Sequence, residues 1–329
     1  MAIHNLGDVH WLQGDYAEAR GCYEQAQRIC REIGFRADEG RMLGRLGAVS
    51  AAQGHYARAR AYGEQGLRIS REIDDRRRES AALYALGDVC RYQGDYAGSS
   101  AYYDQSLRIS REIGARQAEG WVMAFWSLLS HQLGDDEAAR EYSRQALRIT
   151  RDLGDRYSYG YALTHLGHAL AGLRQLTEAA DAYRRALALR RQLGQSHLAP
   201  EPLAGLARVA LAQGDQAQAL AHVEEIVRYL ETHPTLDGTE EPFRVYLTCY
   251  RVLRANHDPR AGDILDTAHR LLQERAAKIE DEELRRSFLE NVAAHRETVE
   301  EWGKATTGCT QIGKSAEATK GCTQVASHE

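Results

Sequence analysis

The dipeptide Leu-Gly returns along this chain at a fixed interval: Leu6-Gly7, Leu46-Gly47, Leu86-Gly87 and Leu166-Gly167, in steps of 40 residues. The same phase places Trp126-Ser127 and Leu206-Ala207 at the two remaining steps, where the second residue stays small. A glycine series, Gly14, Gly54, Gly94, Gly134 and Gly214, follows eight positions after each Leu, with Arg174 in the gap. Tyr16, Tyr56, Tyr96 and Leu176 come two positions later, then Ala19, Ala59, Ser99, Ala139, Ala179 and Ala219. Ile29, Ile69, Ile109, Ile149 and Leu189 close the unit, and Gly34, Gly114, Gly154 and Gly194 end it, with Asp74 in the second slot. A period of this length restricts the chain to architectures in which each unit covers the apolar face of its neighbour.

Each series has a physical reason. The small residue after Leu lets two antiparallel helices approach closely. Glycine eight positions on suits the left-handed residue just past a helix end, and the terminal glycine stops the second helix in the same way. The Tyr and Ala positions fall at helical spacing and fill the seam between the helices. Each unit therefore reads as helix A, tight turn, helix B, tight turn. In the second unit the helices are expected at about Ala37–Gln53 and Tyr56–Ile73, each about 25 Å long at roughly 1.5 Å per residue.

The pattern Leu-Gly, Tyr, Ala, then Tyr at Tyr23, Tyr103 and Tyr183 and Ala at Ala26, Ala146 and Ala186 resembles the tetratricopeptide repeat. The usual unit is shorter, and its proline near the unit end is replaced here by Arg31, Arg71 and Arg111. The extra residues resemble the long units of bacterial signalling proteins. The resemblance implies an all-α fold, a right-handed α-solenoid of antiparallel helix pairs. It spans residues 1–233, as six pairs. Residues 234–302 are expected to hold a degenerate seventh pair plus a C-terminal capping helix, with Pro259 opening a helix after Asp258. The run Glu274 to Trp302 resembles the end of large bacterial multidomain regulators, in which an ATPase, cyclase, kinase or DNA-binding module precedes such an array. The chain opens directly in helix A of unit one, which reads as a fragment or a truncated relative. Residues 303–329, with near-copies of Thr-Gly-Cys-Thr-Gln and Lys-Gly-Cys-Thr-Gln, read as a disordered tail.

Composition narrows the function. The net charge is −5 and the pI about 6.2, without the basic excess of nucleic-acid binders. Six cysteines, none in C-x-x-C spacing, fit reduced thiols of a cytoplasmic protein. No apolar run approaches the roughly 20 residues of a membrane span, and no signal peptide opens the chain.

Several motifs suggest chemistry, and each has a plainer reading. Gly308 to Ser315 matches the P-loop pattern, which needs a strand before it and a helix after it. A helix is expected before it, so the match reads as accidental and nucleotide binding as a remote alternative. His165 and His168 could share a metal at i, i+3, but two ligands are too few. Asp135-Asp136 and Glu280 to Glu283 suit helix starts. No nucleophile pattern is present, so no enzyme activity and no cofactor are expected. The arginine stripe Arg28/Arg31, Arg68/Arg71, Arg108/Arg111, Arg148/Arg151 could track an anion. Acids four residues before, Glu24, Glu64 and Asp104, make a solvated, ion-paired face the better reading.

What remains is the concave groove, which in the resembled family is lined by the A helices and receives partners. The A-helix positions outside the A–B seam include Asp8, Trp11, Arg41, Tyr84, Asp88, Arg91, Trp121, His131, Tyr161, His168 and Arg208. They vary between units and mix aromatics with charge, the types enriched at binding hot spots. The expected partner is a protein or peptide, with no nucleic acid and no membrane. An open end face is compatible with a homo-oligomer. Lysine is absent from the repeats, which argues against a carboxylate clamp for chaperone C-termini. The alternative is a sensory or regulatory arm of a larger bacterial signalling ATPase, cyclase or transcription regulator.

Overall fold

The computed structural model describes residues 2–306, and every regular element within them is helical. The Gly308–Ser315 motif and the remainder of the tail lie outside the described residues. The A helices are α1 (Ala2–Gln13), α3 (Arg36–Ala52), α5 (Arg76–Tyr92), α7 (Arg116–Gln132), α9 (Arg156–Gly172) and α11 (Pro200–Ala212). The B helices are α2 (Tyr16–Glu32), α4 (Tyr56–Glu72), α6 (Tyr96–Glu112), α8 (Asp136–Asp152), α10 (Leu176–Gln192) and α12 (Gln216–Thr232). A short 3-10 turn, Ser196–Leu198, precedes α11. α13 (Pro242–Ala255) and α14 (Arg260–Ala276) form the seventh pair, followed by α15 (Glu282–Glu290) and α16 over 293–306. The second-unit boundaries lie within a residue of those expected from spacing. Asp258 accepts from the Arg260 amide at 2.9 Å, as the Asp-Pro start required.

The turns repeat one geometry. Gly14 donates to the Trp11 carbonyl at 3.1 Å and Asp15 to that of His10 at 2.9 Å. These are the two bonds that close a helix through a left-handed residue. Gly14, Gly54, Gly94, Gly134 and Gly214 all have positive φ. Asp74 and Arg174, which replace glycine, adopt the same region at φ 55° and 61°, so the period imposes the turn even where the side chain disfavours it.

Close A–B approach has a specific partner. Tyr23, Tyr103 and Tyr183 are buried with their rings packed against the glycine of Leu-Gly. A Cβ at Gly7, Gly87 or Gly167 would lie 2.6, 2.6 or 2.5 Å from the ring. Each hydroxyl then reaches the next A-helix residue. Tyr23 donates to Asp8 at 2.7 Å, Tyr103 to Asp88 at 3.0 Å, and Tyr183 lies 2.7 Å from His168 Nδ1. In the second and fourth units both members of this couple change together, to Ala48 with Gly63 and Leu128 with Ser143. Ser127 stands for glycine in unit four, and its hydroxyl lies 2.5 Å from that of Ser143.

Five of the eight stripe arginines are ion-paired, three of them across repeats. Arg108 meets Asp104 at 2.6 Å as expected, but Glu24 pairs with Arg20 at 3.9 Å. In three of the four couples the second arginine reaches over the turn: Arg31 to Glu39, Arg71 to Glu79 and Arg111 to Glu119, at 3.2, 2.9 and 3.1 Å. Burial alone would raise the Glu79 carboxyl, yet bonds from Arg71 and Arg76 hold it below its ordinary range.

A Gly87→Ala substitution should therefore cost about 1–3 kcal/mol, because the new methyl strikes a buried ring. At Gly47 a Cβ would meet Ala59 O at 3.5 Å and Tyr62 Cβ at 3.6 Å, ordinary contacts. Gly47→Ala should be neutral or stabilise by up to about 1 kcal/mol. Urea unfolding of the two variants checks the difference; equal costs would refute the ring-on-glycine account.

Candidate functional site

The array curls until unit one meets unit five. Trp11 of α1 donates through Nε1 to the hydroxyl of Tyr157 of α9 at 3.2 Å. The helices of later units then cross the interior. Phe288 of α15 packs on Tyr56, with ring centroids 5.8 Å apart. Asn291 Nδ2 donates to the Gly94 carbonyl at 3.3 Å.

The segment 233–241 breaks the period and passes through the middle as a strap. Leu236 is buried, Asp237 pairs with Arg275 at 3.1 Å, and Gly238 sits where a Cβ would run into the Tyr16 ring. Glu240 receives Arg91 at 2.5 Å and the Tyr92 hydroxyl at 2.7 Å. Arg91 also binds Asp88, through Nε at 2.9 Å and Nη2 at 2.7 Å. One buried guanidinium therefore faces two carboxylates. Burial and the Asp88 charge push Glu240 up to about 8.

Glu241 is treated differently. Arg244 bonds it at 2.7 Å and Gln132 Nε2 at 3.1 Å. Burial would raise its carboxyl, but Arg244 prevails and holds it well below the carboxylate range. His168 Nε2 lies 3.0 Å from Glu201 and 3.8 Å from Glu241. Burial keeps this imidazole, and that of His165, well below the ordinary histidine range. The donor atoms of His168, Glu201 and Glu241 lie within 4.8 Å of one another, the one such set among the described residues with metal-ligand spacing. Arg244 on Glu241 and Arg208, 3.5 Å from His168, already supply cationic charge there, so the set is built as a hydrogen-bonded ion network. His165 points elsewhere, with Nδ1 2.7 Å from the Ala124 carbonyl.

Of the eleven groove residues named from sequence, Trp11, Arg41, Tyr84, Asp88, Trp121 and Tyr161 line one cavity of about 380 Å³ on the concave side. Arg91, His168 and His131 do not. Arg91 is only 1% exposed, His168 is buried, and His131 is held 2.5 Å from Asp136. Arg208 reaches Thr248 at 3.2 Å, and Asp8 binds Tyr23 and Arg45. The expectation that all these positions would face an open groove overlooked the strap, which has no counterpart in the repeat.

The cavity has a specific origin. Its floor holds Gly44, Gly47, Ala48, Gly63 and Gly66, because unit two lacks the couple that fills the seam in units one, three and five, Tyr with Asp in the first two and Tyr with His in the last. Its walls are aromatic. Trp121 stacks on Tyr157 with centroids 5.7 Å apart and meets Tyr84 and Tyr161 edge-on at 5.9 and 5.5 Å. Phe125, Tyr157 and Tyr92 join from the sides, and Gly238 and Glu240 of the strap complete the wall. Phe125, Tyr157 and the strap residues were not anticipated from sequence. The paired substitution of Ala48 and Gly63 was a visible sign of the gap. An apolar, aromatic hollow with a few charged groups at its edge is suited to an apolar side chain beside a polar backbone.

Glu240→Gln removes the excess buried charge. A carboxyl raised on folding destabilises progressively as pH rises from its unfolded value near 4.5 through about 8. The variant should therefore gain stability over wild type at pH 8 relative to pH 5, on the order of 2 kcal/mol. Unfolding free energies at both pH values test this; a gain that is the same at pH 5 and pH 8 would contradict it.

Profiles of the tetratricopeptide repeat match residues 1–72, 78–152, 160–197 and 200–225, and the chain belongs to that family. No curated protein sequence matches. Among solved structures, the chain is similar to the Rap conjugation gene regulator of plasmid pLS20 in complex with the Phr* peptide. The TM-score is 0.66 at 15% identity, over 83% of this chain and 73% of that one. A Rap protein complexed with competence and sporulation factor gives 0.56 at 13% identity, over 92% and 87%. A signal-transduction ATPase with a tetratricopeptide sensor from Pyrococcus horikoshii gives 0.52 at 16%, over 87% of this chain and 44% of that one. These likenesses establish the fold, a right-handed α-solenoid. No helix among the described residues is long and apolar enough to cross a membrane.

Proposed function

We propose that the chain is a non-catalytic binding module that takes a peptide, or an extended segment of a protein, into the aromatic cavity of its concave face. The observation that carries this reading is the cavity itself: about 380 Å³, aromatic on its walls, and opened by the glycines and alanines of unit two. Burying an aromatic or aliphatic anchor there stabilises a complex by roughly 1.5–3 kcal/mol per side chain. Two similar solved structures are complexes, one with the Phr* peptide and one with competence and sporulation factor, which agrees with this use of the fold. Trp11, Arg41, Tyr84, Asp88, Trp121 and Tyr161 are the contacting residues in this reading. Arg91 and His168 hold the strap behind them, and Arg208 braces His168. Free thiols at Cys22, Cys30, Cys90 and Cys249 fit a reducing bacterial cytoplasm.

A second reading, a sensory arm within a larger signalling protein, is favoured by the first helix. Leu6 and Val9 are 51% and 49% exposed, whereas Leu46 and Val49, one repeat later, are 1% and 0%. The α1 face has the sequence of an internal repeat and would accept another B-type helix. Genomic DNA upstream of Met1 decides this reading. An in-frame ATPase, cyclase or DNA-binding module supports it, and a promoter with a clean start codon removes it.

Gly44 offers a direct test of the cavity, because a Cβ there meets open space. Gly44→Phe should fill the cavity while raising helix propensity, with no loss of melting temperature. Selection from a random-peptide display library should enrich an apolar-anchor motif on wild type and lose it on the variant. Equal enrichment on both proteins would rule out the cavity as the site.

A further inference from the structure

Units two, three and four each hold one buried glutamate between two arginines. Glu39 binds Arg31 at 3.2 Å and Arg36 at 2.7 Å. Glu79 binds Arg71 at 2.9 Å and Arg76 at 2.5 Å. Glu119 binds Arg111 at 3.1 Å and Arg116 at 2.6 Å. The first arginine lies near the end of helix B, and the second opens the next helix A. In units two and three that second arginine also meets a glutamate at the next B-helix end, Glu72 or Glu112.

Unit five keeps both arginines and loses both carboxylates. Arg151 and Arg156 are in register, but Tyr159 stands where Glu39, Glu79 and Glu119 stand, and Gln192 where Glu72 and Glu112 stand. Arg156 now meets the neutral Gln192 Oε1 at 2.7 Å. Arg151 has only its chain neighbour Asp152, at 3.4 Å. Arg185 is added to the group: it donates to the Tyr159 hydroxyl at 2.9 Å and lies 3.6 Å from Asp181. The Asp155 carboxylate is engaged by the Ser158 amide and hydroxyl at 3.0 and 2.7 Å, and by Gln117 at 3.2 Å.

A surface hollow of about 400 Å³ lies at this point. Arg151, Arg156, Arg185 and Asp155 line it with Tyr159 and the apolar wall of Leu163, Ala188 and Leu189. It shares no lining residue with the concave cavity. We propose that this hollow is a second binding site, for a carboxylate carried on an apolar body, which takes the place of the glutamate that units two to four supply internally. Two guanidiniums fixed on adjacent helix ends suit bidentate recognition of a carboxylate. The apolar wall receives whatever the carboxylate is attached to. Two sources share that chemistry: a free aryl- or alkyl-carboxylic acid, and an acidic residue beside an apolar one in a partner segment.

The test titrates the full chain, by calorimetry, with 3-phenylpropionate and its neutral amide, with acetyl-Leu-Glu-Leu-amide and its Gln counterpart, and with inorganic phosphate. The expected result is that at least one carboxylate probe binds ten or more times more tightly than its neutral partner. Whichever carboxylate binds better identifies the source. Tyr159→Glu restores the internal carboxylate and should weaken that probe at least tenfold while leaving the melting temperature equal or higher. Arg151→Gln with Arg156→Gln should give the same loss, and serves if the first variant folds poorly. Binding by phosphate alone, equal binding of acid and amide, undiminished affinity in the variants, or no binding by any probe would each overturn the site. Gly44→Phe, which blocks the concave cavity, should leave this binding unchanged, so failure of the two sites is told apart.

Discussion

The contact on which the solenoid depends is the close approach of a tyrosine ring to a glycine across the A–B seam of units one, three and five. In those units a β-carbon on the facing residue would strike the ring, whereas units four and six, which carry Ser127 and Ala207 there, have no such tyrosine. Where Tyr23, Tyr103 and Tyr183 bind Asp8, Asp88 and His168, the seam gains a buried hydrogen bond that also orients an A-helix side chain. Alternate units carry the couple and alternate units do not. The array is thus a period of 80 residues in its polar couples laid over one of 40 in its backbone.

Sites arise where this regularity is interrupted. Unit two omits the couple and leaves a hollow floored by glycine and alanine. Unit five omits a carboxylate and leaves arginines whose counterparts elsewhere are paired with glutamate. After unit six the repeat gives way to the strap, whose Glu240 and Glu241 engage Arg91, Gln132 and Arg244. The interruptions in units two and five leave the turns and helix lengths intact, because those are set by residues the interruption does not touch. The scaffold can therefore change its chemistry unit by unit without changing its shape.

Why the helices, turns and unit count were legible from sequence is now clear. Their determinants lie within a few residues: a left-handed glycine, a cap, an aliphatic at helical spacing. Asp74 and Arg174 were legible for the same reason, as positions where the neighbours dictate the turn. The cross-repeat pairs Arg31–Glu39 and Arg71–Glu79 were also present as an eight-residue spacing. An expectation built only on pairs four residues apart within one helix passed over them. The closure of the array was not legible, since Trp11 meets Tyr157 and Arg91 meets Glu240 across spans that no local pattern encodes. Hence Arg91 and His168 looked like free groove residues and are instead buried anchors.

The strap ties the ion network at the centre of the array to the concave cavity. Gly238 and Glu240 form part of its wall, and Glu240 is held by an arginine that it shares with Asp88, itself a lining residue. Asp88 and Glu240 compete for one guanidinium, since Arg91 bonds both. The wall of the cavity and the ion network that seats the strap therefore share a charged group, and neither carboxylate can be changed without altering the electrostatics of the other.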